Sequence, residues 1–273
     1  MENLTDYYYA SSFSGKMGSD ELNKALQGWI NEQTGGLLEE QASGIEMRPD
    51  TILALASTIH FRAKWGSEFS KNNTKKGLFN LLDGNNDTLE CDFMHTSGTQ
   101  TYYWSDCFAA VGLRLEGSGN MWLLLPDEGV ALDELLTDAQ TMDFLHKGQE
   151  WDKSKFLVVN MSVPKFDVAS NIDLSSGLQE LGVTDIFDSI RSDFSPMTAD
   201  IDEVYLSRSE HAARVAIDEE GVTAAAYTVM LACGSAMPPD DEVDFVLDRP
   251  FLFAITGVNG QILFVGVVNQ PVS

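Results

Sequence analysis

The first strong pattern of hydrophobic positions along the chain is helical. Apolar side chains spaced by three and four residues form one stripe, made of Leu22, Ala25, Leu26, Trp29 and Ile30. Ser19 can cap the first turn, and the pair Gly35-Gly36 follows the last one. The pattern predicts an amphipathic helix that begins next to Ser19 and ends before the two glycines.

Several strands are predicted further along the chain. Residues 51–61 are apolar with little alternation, as in a strand that is covered on both faces. From residue 77 to 125, turn signals such as Asp83-Gly84-Asn85 separate short strands, and Pro126 stops the apolar strand Met121–Leu125. Strict alternation predicts another strand through Leu157, Val159, Met161 and Val163.

Two more helices and a hairpin complete the expected elements. The helices are predicted around Leu132–Leu145 and Leu174–Leu181. Near the end of the chain, Asn259-Gly260 lies between the apolar runs Phe251–Ile255 and Ile262–Val268, which is a strong hairpin signal. No internal repeat or linker interrupts these elements, and they do not follow a βαβ order. We therefore expect one domain of the α+β class.

Charge and cysteine content narrow the functional classes. The chain has 42 acidic and 17 basic side chains, a net charge of −25, which argues against binding nucleic acid or an anionic membrane surface. Its longest apolar run, Ile262–Val268, is too short to span a bilayer. Cys91, Cys107 and Cys233 are odd in number and widely spaced, so neither a disulfide framework nor a zinc knuckle is expected. These features predict an acidic, soluble globular protein.

No local signature of catalysis is present. The sequence contains no H-E-x-x-H, G-x-S-x-G, G-x-x-x-x-G-K-[ST] or G-x-G-x-x-G motif. Its four histidines are most simply packed or surface side chains. We therefore expect neither an enzyme nor a protein that carries a metal or a cofactor.

One segment, residues 216–239, fits neither an ordinary core element nor an ordinary loop. The acidic residues Asp218, Glu219 and Glu220 precede Gly221, a run of small and β-branched residues follows, and Pro238-Pro239 ends it. At a spacing of two, one face consists of Val222, Ala224, Ala226, Thr228 and Met230. Such a face suits a strand that slides into a crowded sheet, whereas composition alone favours an alanine-rich surface loop.

The hinge residues Glu219, Glu220, Gly221, Val222, Thr223, Ala224, Ala225 and Ala226 resemble the reactive-loop hinge of the serpins, the serine protease inhibitor family. The resemblance continues in colinear order over almost the whole chain. It includes Leu22–Ile30 with Thr34-Gly35-Gly36, Thr51–Trp65, Val163-Pro164-Lys165-Phe166, Ser192–Thr198, Asp248–Phe253 and Ile262–Gly266. On these motifs the chain is identified as a serpin of bacterial type.

The resemblance implies a fold with a large central sheet, smaller sheets, surrounding helices and an exposed reactive loop at residues 219–239. Residues 1–273 would form one serpin domain that lacks the N-terminal helices, because the family pattern begins about a hundred residues ahead of Met1. Trp65 corresponds to the family's breach tryptophan. His211 corresponds to its shutter histidine, whose usual asparagine partner is replaced by Ser57.

The resemblance also implies suicide inhibition. A target serine protease would attack the loop and form an acyl-enzyme, and the cut loop would insert as a strand before water hydrolyses the ester. No charge lies between Val222 and Pro239, which fits an inhibitory member. The alternatives are a non-inhibitory, serpin-like binding protein and an inactive fragment.

Family spacing places the reactive bond fourteen residues after Gly221, at Ser235-Ala236. The flanking residues that would contact the protease are Leu231, Ala232, Cys233, Gly234 and Met237. A small uncharged residue before the cut indicates an elastase-like or subtilisin-like target. Cleavage after Leu231 or Met230 would offer a second, chymotrypsin-like register.

The expected partner is thus an extracellular serine protease, and the net charge makes a heparin-like cofactor a poor fit. We expect a monomer that acts outside the cell or in the cell envelope. No signal peptide is visible after Met1, and the resemblance places the segment that would carry one ahead of it.

Overall fold

A computed structural model describes residues 11–36, 38–49, 56, 61, 63–81, 87–117, 119–195, 204–206, 209–222 and 241–271. The chain divides into two compact units. The first unit consists of Met1–His60 and Ala169–Arg214, and the second consists of Phe61–Val168 and Val215–Ser273.

The first unit contains the predicted amphipathic helix, α1, at Asp20–Gln33. The hydroxyl of Ser19 accepts a hydrogen bond from the Leu22 amide at 3.3 Å, as expected of a helix cap. A shorter helix, α2 (Glu39–Ser43), follows, and the apolar side chains of Ile30, Leu38 and Ala42 form a small core with them. The sequence prediction for this helix is confirmed.

The other elements of the second unit's sheets and helices follow in chain order. They are β1 Ala63–Lys64, β2 Thr74–Asn80, β3 Thr88–Trp104, β4 Phe108–Leu115, β5 Gly119–Pro126, α3 Leu132–Thr137, α4 Ala139–Lys147 and β6 Ser154–Pro164. The strands β7 (Phe166–Asp173) and β8 (Glu210–Ile217) have residues in both units, and α5 (Ser175–Glu180) belongs to the first unit. The chain continues with β9 Gly221–Val222, β10 Glu242–Val246, β11 Phe251–Thr256 and β12 Ile262–Val268.

An eight-stranded sheet dominates the second unit, in the order β10-β6-β3-β4-β5-β11-β12, with β2 also paired to β3. Only the β10–β6 pair among these is parallel. The alternating residues predicted in β6, from Leu157 to Val163, are all buried on one face. The predicted hairpin is formed by β11 and β12, and Gly260 in its turn has a φ of +75°.

Strand β3 differs from the expectation of short strands between residues 77 and 125, because it runs for 17 residues. Its first part pairs with β2, and residues Phe93–Tyr103 pair with β6. The strand can therefore stay extended because its backbone always has a ladder partner. Gly98 does not break it, since nothing lies near the position that a Cβ would take.

The helix expected at Leu132–Leu145 is in fact two helices, α3 and α4, divided at Asp138. The Asp138 carboxylate accepts a hydrogen bond from the Thr141 amide at 2.9 Å, so this residue caps a new helix instead of continuing the first. From α4 the buried Phe144 makes edge contacts with four aromatic rings, those of Tyr103, Phe108, Trp122 and Trp151. These rings form the centre of a second apolar cluster beside the main core.

A four-stranded sheet has the order β1-β9-β8-β7. Most of the strand expected at residues 51–61 lies outside the described residues. Within the described part of the chain, no helix is long and apolar enough to cross a membrane.

Candidate functional site

The hinge turn, Asp218–Gly221, joins β8 to β9 and sends the chain back into the sheet it has just left. The Asp218 amide donates to the Gly221 carbonyl at 3.0 Å, and Val222 pairs with Ile217. The Asp218 carboxylate oxygen Oδ1 accepts from the amides of Glu220 and Gly221, at 2.9 and 3.1 Å. The turn is thus closed by the backbone and by one side chain.

The two residues after the turn lie between strands on both sides. Val222 is opposite Ala63 and Gly221 is opposite Lys64, in an antiparallel pair with β1. The Val222 side chain joins the main core and is only 2% exposed. A Cβ on Gly221 would lie 2.4 Å from the Ala63 carbonyl oxygen, so the approach of β1 requires glycine there.

Trp65 holds the turn from one side. Its indole Nε1 donates to the Asp218 carbonyl at 2.7 Å, and its amide donates to the Glu220 carbonyl at 3.1 Å. The ring is buried and packs edge-on against Phe69, whose amide donates to the Glu219 carbonyl at 2.9 Å. Trp65 and Phe69 therefore fix the backbone of the hinge turn as well as its side chains.

The buried side chain of the turn is Glu219, whose residue is 6% exposed. Its carboxylate accepts from Thr74 Oγ1 at 2.7 Å and from Lys165 Nζ at 3.0 Å. Burial acts to raise the pKa of Glu219, but these two hydrogen bonds outweigh it, and the pKa lies below its ordinary value. The carboxylate is thus charged and clamped between β2 and the junction of β6 with β7.

Glu220 makes the second ion pair of the turn, on the solvent side. Its carboxylate lies 2.7 Å from Lys71 Nζ, in the 3₁₀ turn Lys71–Asn73. The hydrogen bond from Lys71 lowers the pKa of Glu220, and the same bond raises the pKa of Lys71. Because the Lys71 side chain is 70% exposed, this pair is a surface contact.

The structure brings together Trp65, Glu219, Glu220, Gly221 and Val222 from the expected site residues. His211 lies on β8 and is half-buried. The others lie outside the described residues, namely Ser57, Thr223, Ala224, Ala225, Ala226, Leu231, Ala232, Cys233, Gly234, Met237, Ser235 and Ala236.

Four residues of this site were not identified by sequence reasoning: Asp218, Lys71, Thr74 and Lys165. Lys165 lies in the Pro164-Lys165-Phe166 motif, which could have signalled it. Thr74 is 145 residues away from Glu219 along the chain and belongs to no motif, so only the fold reveals it. Among the described residues, no cluster of histidine, cysteine and carboxylate side chains could hold a metal ion.

Comparison with known proteins gives a consistent result. A family model described as Serpin (serine protease inhibitor) matches residues 1–271. Leukocyte elastase inhibitor from Homo sapiens is 30% identical over 261 residues, which are 93% of this chain and 67% of that protein. Serpin B6 from Pongo abelii is 31% identical over 264 residues, which are 92% of this chain and 66% of that protein. The chain thus spans about two thirds of the length of these relatives.

Two solved structures share the fold. The thermophilic serpin tengpin in its native state has a TM-score of 0.74 at 22% identity, and the match covers 98% of this chain and 67% of that one. The complex of thyroxine-binding globulin with thyroxine has a TM-score of 0.78 at 24% identity, and the match covers 100% of this chain and 71% of that one. The architecture is therefore the serpin fold, of mixed α+β class with a large sheet, as the sequence motifs predicted.

Proposed function

This chain belongs to the serpin family, and from that premise we propose that it is a suicide inhibitor of serine proteases, with residues 1–273 acting as one domain. The observation that carries the proposal is the position of Gly221 and Val222, between β1 and β8, immediately before the bait segment. A chain that already enters the sheet at this point is suited to continue inserting once it is cut. The whole of the loop, residues 219–239, would serve as bait and inserting strand.

The covalent step has the chemistry of an interrupted proteolysis. The protease serine oxygen attacks the carbonyl carbon of Ser235, the bond to the Ala236 nitrogen breaks, and that nitrogen leaves as an amine after taking a proton from the protease histidine. The product is an ester between the protease and Ser235. Insertion of the cut loop then separates this ester from the water that would hydrolyse it.

The size of the bait residue favours a protease with a small specificity pocket, of elastase-like or subtilisin-like type. Ser235 can neither pair with an acidic pocket nor fill a deep apolar slot. The similarity to a protein named leukocyte elastase inhibitor supports the same target class. Flanking contacts would come from Leu231, Ala232, Cys233, Gly234 and Met237, and Leu231 or Met230 offers the second register.

Incubation with a pancreatic-type elastase tests the function directly. We expect a complex that survives boiling in detergent, and cleavage without any such complex would overturn inhibition. A matched variant, Ser235→Arg, should transfer complex formation from elastase to trypsin, because arginine suits an acidic specificity pocket. If elastase still forms the complex with this variant, the cut lies in the second register instead.

A non-inhibitory binding protein is the second candidate, and an inactive fragment is the third. The first of these is favoured by the fold similarity to thyroxine-binding globulin, whose solved structure contains thyroxine. Thermal unfolding before and after proteolysis of the loop separates them from an inhibitor. A sharply raised midpoint after cleavage indicates insertion, whereas an unchanged midpoint favours the binding protein or the fragment.

The same proposal places the protein outside the cell or in the cell envelope, where it would meet an extracellular protease as a monomer. Its charge of −25 favours proteases with a basic surface and disfavours a heparin-like cofactor. Cell fractionation and a sedimentation measurement test these two expectations.

A further inference from the structure

We propose that Asp218 is a positioning residue that keeps the hinge seated in the sheet of the uncleaved protein, so that strand insertion is nucleated before a protease arrives. The inference deepens the proposed function and rests on it for its effect on protease trapping. The seating itself is a property of the intact chain and can be measured separately.

Four hydrogen bonds converge on this one residue. Its carbonyl accepts from Trp65 Nε1 at 2.7 Å, and its amide donates to the Gly221 carbonyl at 3.0 Å. Its carboxylate oxygen accepts two more, from the amides of Glu220 and Gly221. The two backbone bonds would survive a change of side chain, whereas the two carboxylate bonds would not.

Loss of that carboxylate would leave two part-buried amides without their acceptor. Each such loss costs stability, because a donor that gives up water must find another partner in the protein. Both amides lie inside the turn that directs Gly221 and Val222 back between β1 and β8. The acceptor on Asp218 therefore acts directly on the position of the seated residues.

The seat is short, which makes it sensitive to this one side chain. Strand β9 has two residues, and its described partner β1 also has two. Val222 contributes one buried side chain, and Gly221 contributes a close backbone approach without any side chain. A contact of this size is in balance with its released state, so a lost pair of hydrogen bonds shifts that balance measurably.

Seating matters because insertion competes with hydrolysis of the acyl-enzyme. The first residue to enter a sheet must be ordered before any ladder hydrogen bond rewards it, and each later residue extends an existing strand. In the uncleaved chain that first step is already complete at Val222. Releasing it would slow insertion and let more of the protease escape.

The test compares Asp218→Ala with Asp218→Asn, because asparagine keeps the acceptor oxygen without the charge. Hydrogen exchange of the amides at residues 63–65 and 220–222 should become at least ten-fold faster in Asp218→Ala, and should stay near wild type in Asp218→Asn. Amides of β6 in the same samples report whether the fold is intact. Glu220→Gln is the matched control, since it changes an exposed side chain of the same turn.

The second readout is the ratio of trapped to cleaved protein after reaction with elastase. We expect a several-fold lower trapped fraction for Asp218→Ala and rescue by Asp218→Asn. Unchanged exchange in Asp218→Ala, or equal defects in the two variants, would overturn the inference. If Asp218→Ala does not fold, Asp218→Ser, whose hydroxyl is a shorter acceptor, should give intermediate exchange, and wild-type exchange there would overturn it equally. If the wild type forms no complex, the proposed function fails while exchange still decides the seating.

Discussion

The clamp around Glu219 predicts an unequal cost for removing its two charged groups. Lys165→Met would leave a carboxylate that is buried, since the Glu219 side chain is 8% exposed. Glu219→Gln would leave an ammonium group whose side chain is 33% exposed and can turn toward water. The lysine substitution should therefore destabilise the protein more than the glutamate substitution, although both remove the same ion pair.

The magnitude follows from burial on each side. A hydrogen bond to a charged group contributes about 1.5–3 kcal/mol, and stripping the partner from a fully buried ion costs about 3–5 kcal/mol. Because Lys165 is partly exposed and Thr74 still donates to the carboxylate, we expect about 2 kcal/mol for Lys165→Met. For Glu219→Gln we expect about 1 kcal/mol, since the amide oxygen can still accept from Thr74 or Lys165.

Thermal unfolding at one fixed heating rate measures the difference. For a chain of this size the expected decreases in Tm are about 4–8 °C for Lys165→Met and about 2–4 °C for Glu219→Gln. The double variant should be more stable than Lys165→Met alone, because it no longer strands a charge. Lys71→Met is the control on the exposed pair and should leave Tm unchanged within error.

The pH dependence of the same clamp has a definite sign. The pKa of Glu219 is lowered in the folded protein, so its contribution is complete above the ordinary glutamate pKa and is lost as the pH falls through the folded value. The gap in Tm between wild type and Lys165→Met should thus close below about pH 4. A gap of constant size, or a Glu219→Gln variant less stable than Lys165→Met, would refute the reasoning.

Three further substitutions test other parts of the account. Gly221→Ala should unseat β9, because its Cβ would lie 2.4 Å from the Ala63 carbonyl, and hydrogen exchange at Lys64 would report this. Val222→Asp should convert trapping of elastase into simple cleavage, because a charge would replace a side chain only 2% exposed, whereas Val222→Thr should keep most trapping. Phe144→Ala should cost about 3–5 kcal/mol, because Phe144 contacts four aromatic rings, and a small effect on thermal unfolding would contradict that packing.

Local patterns predicted much of the fold. Ser19 and the apolar stripe that follows it predicted α1, and the alternation through β6 predicted both its extent and its buried face. These features depend on neighbours within a few residues, so the sequence contains them directly. The break at Asp138 was missed because an aspartate inside an apolar periodicity can either lie on the surface of one helix or cap the next.

The candidate site was predictable only in part. The hinge motif indicated Glu219 to Val222, and Trp65 was identified by its likeness to the breach tryptophan of the family. The partners of the two glutamates come from β2, the adjacent 3₁₀ turn and the end of β6, far away in sequence. Long-range ion pairs of this kind leave no periodic signal, and that is why Lys71 and Thr74 emerged only from the fold.

The most direct test of the central claim is the intact mass of the products formed with elastase. The account predicts one species with the mass of the protease joined to residues 1–235, together with a released peptide that begins at Ala236. Because the ester forms at the Ser235 carbonyl, the adduct and the peptide must appear in equal amounts. A released peptide accompanied only by free residues 1–235, with no adduct, would contradict inhibition by trapping.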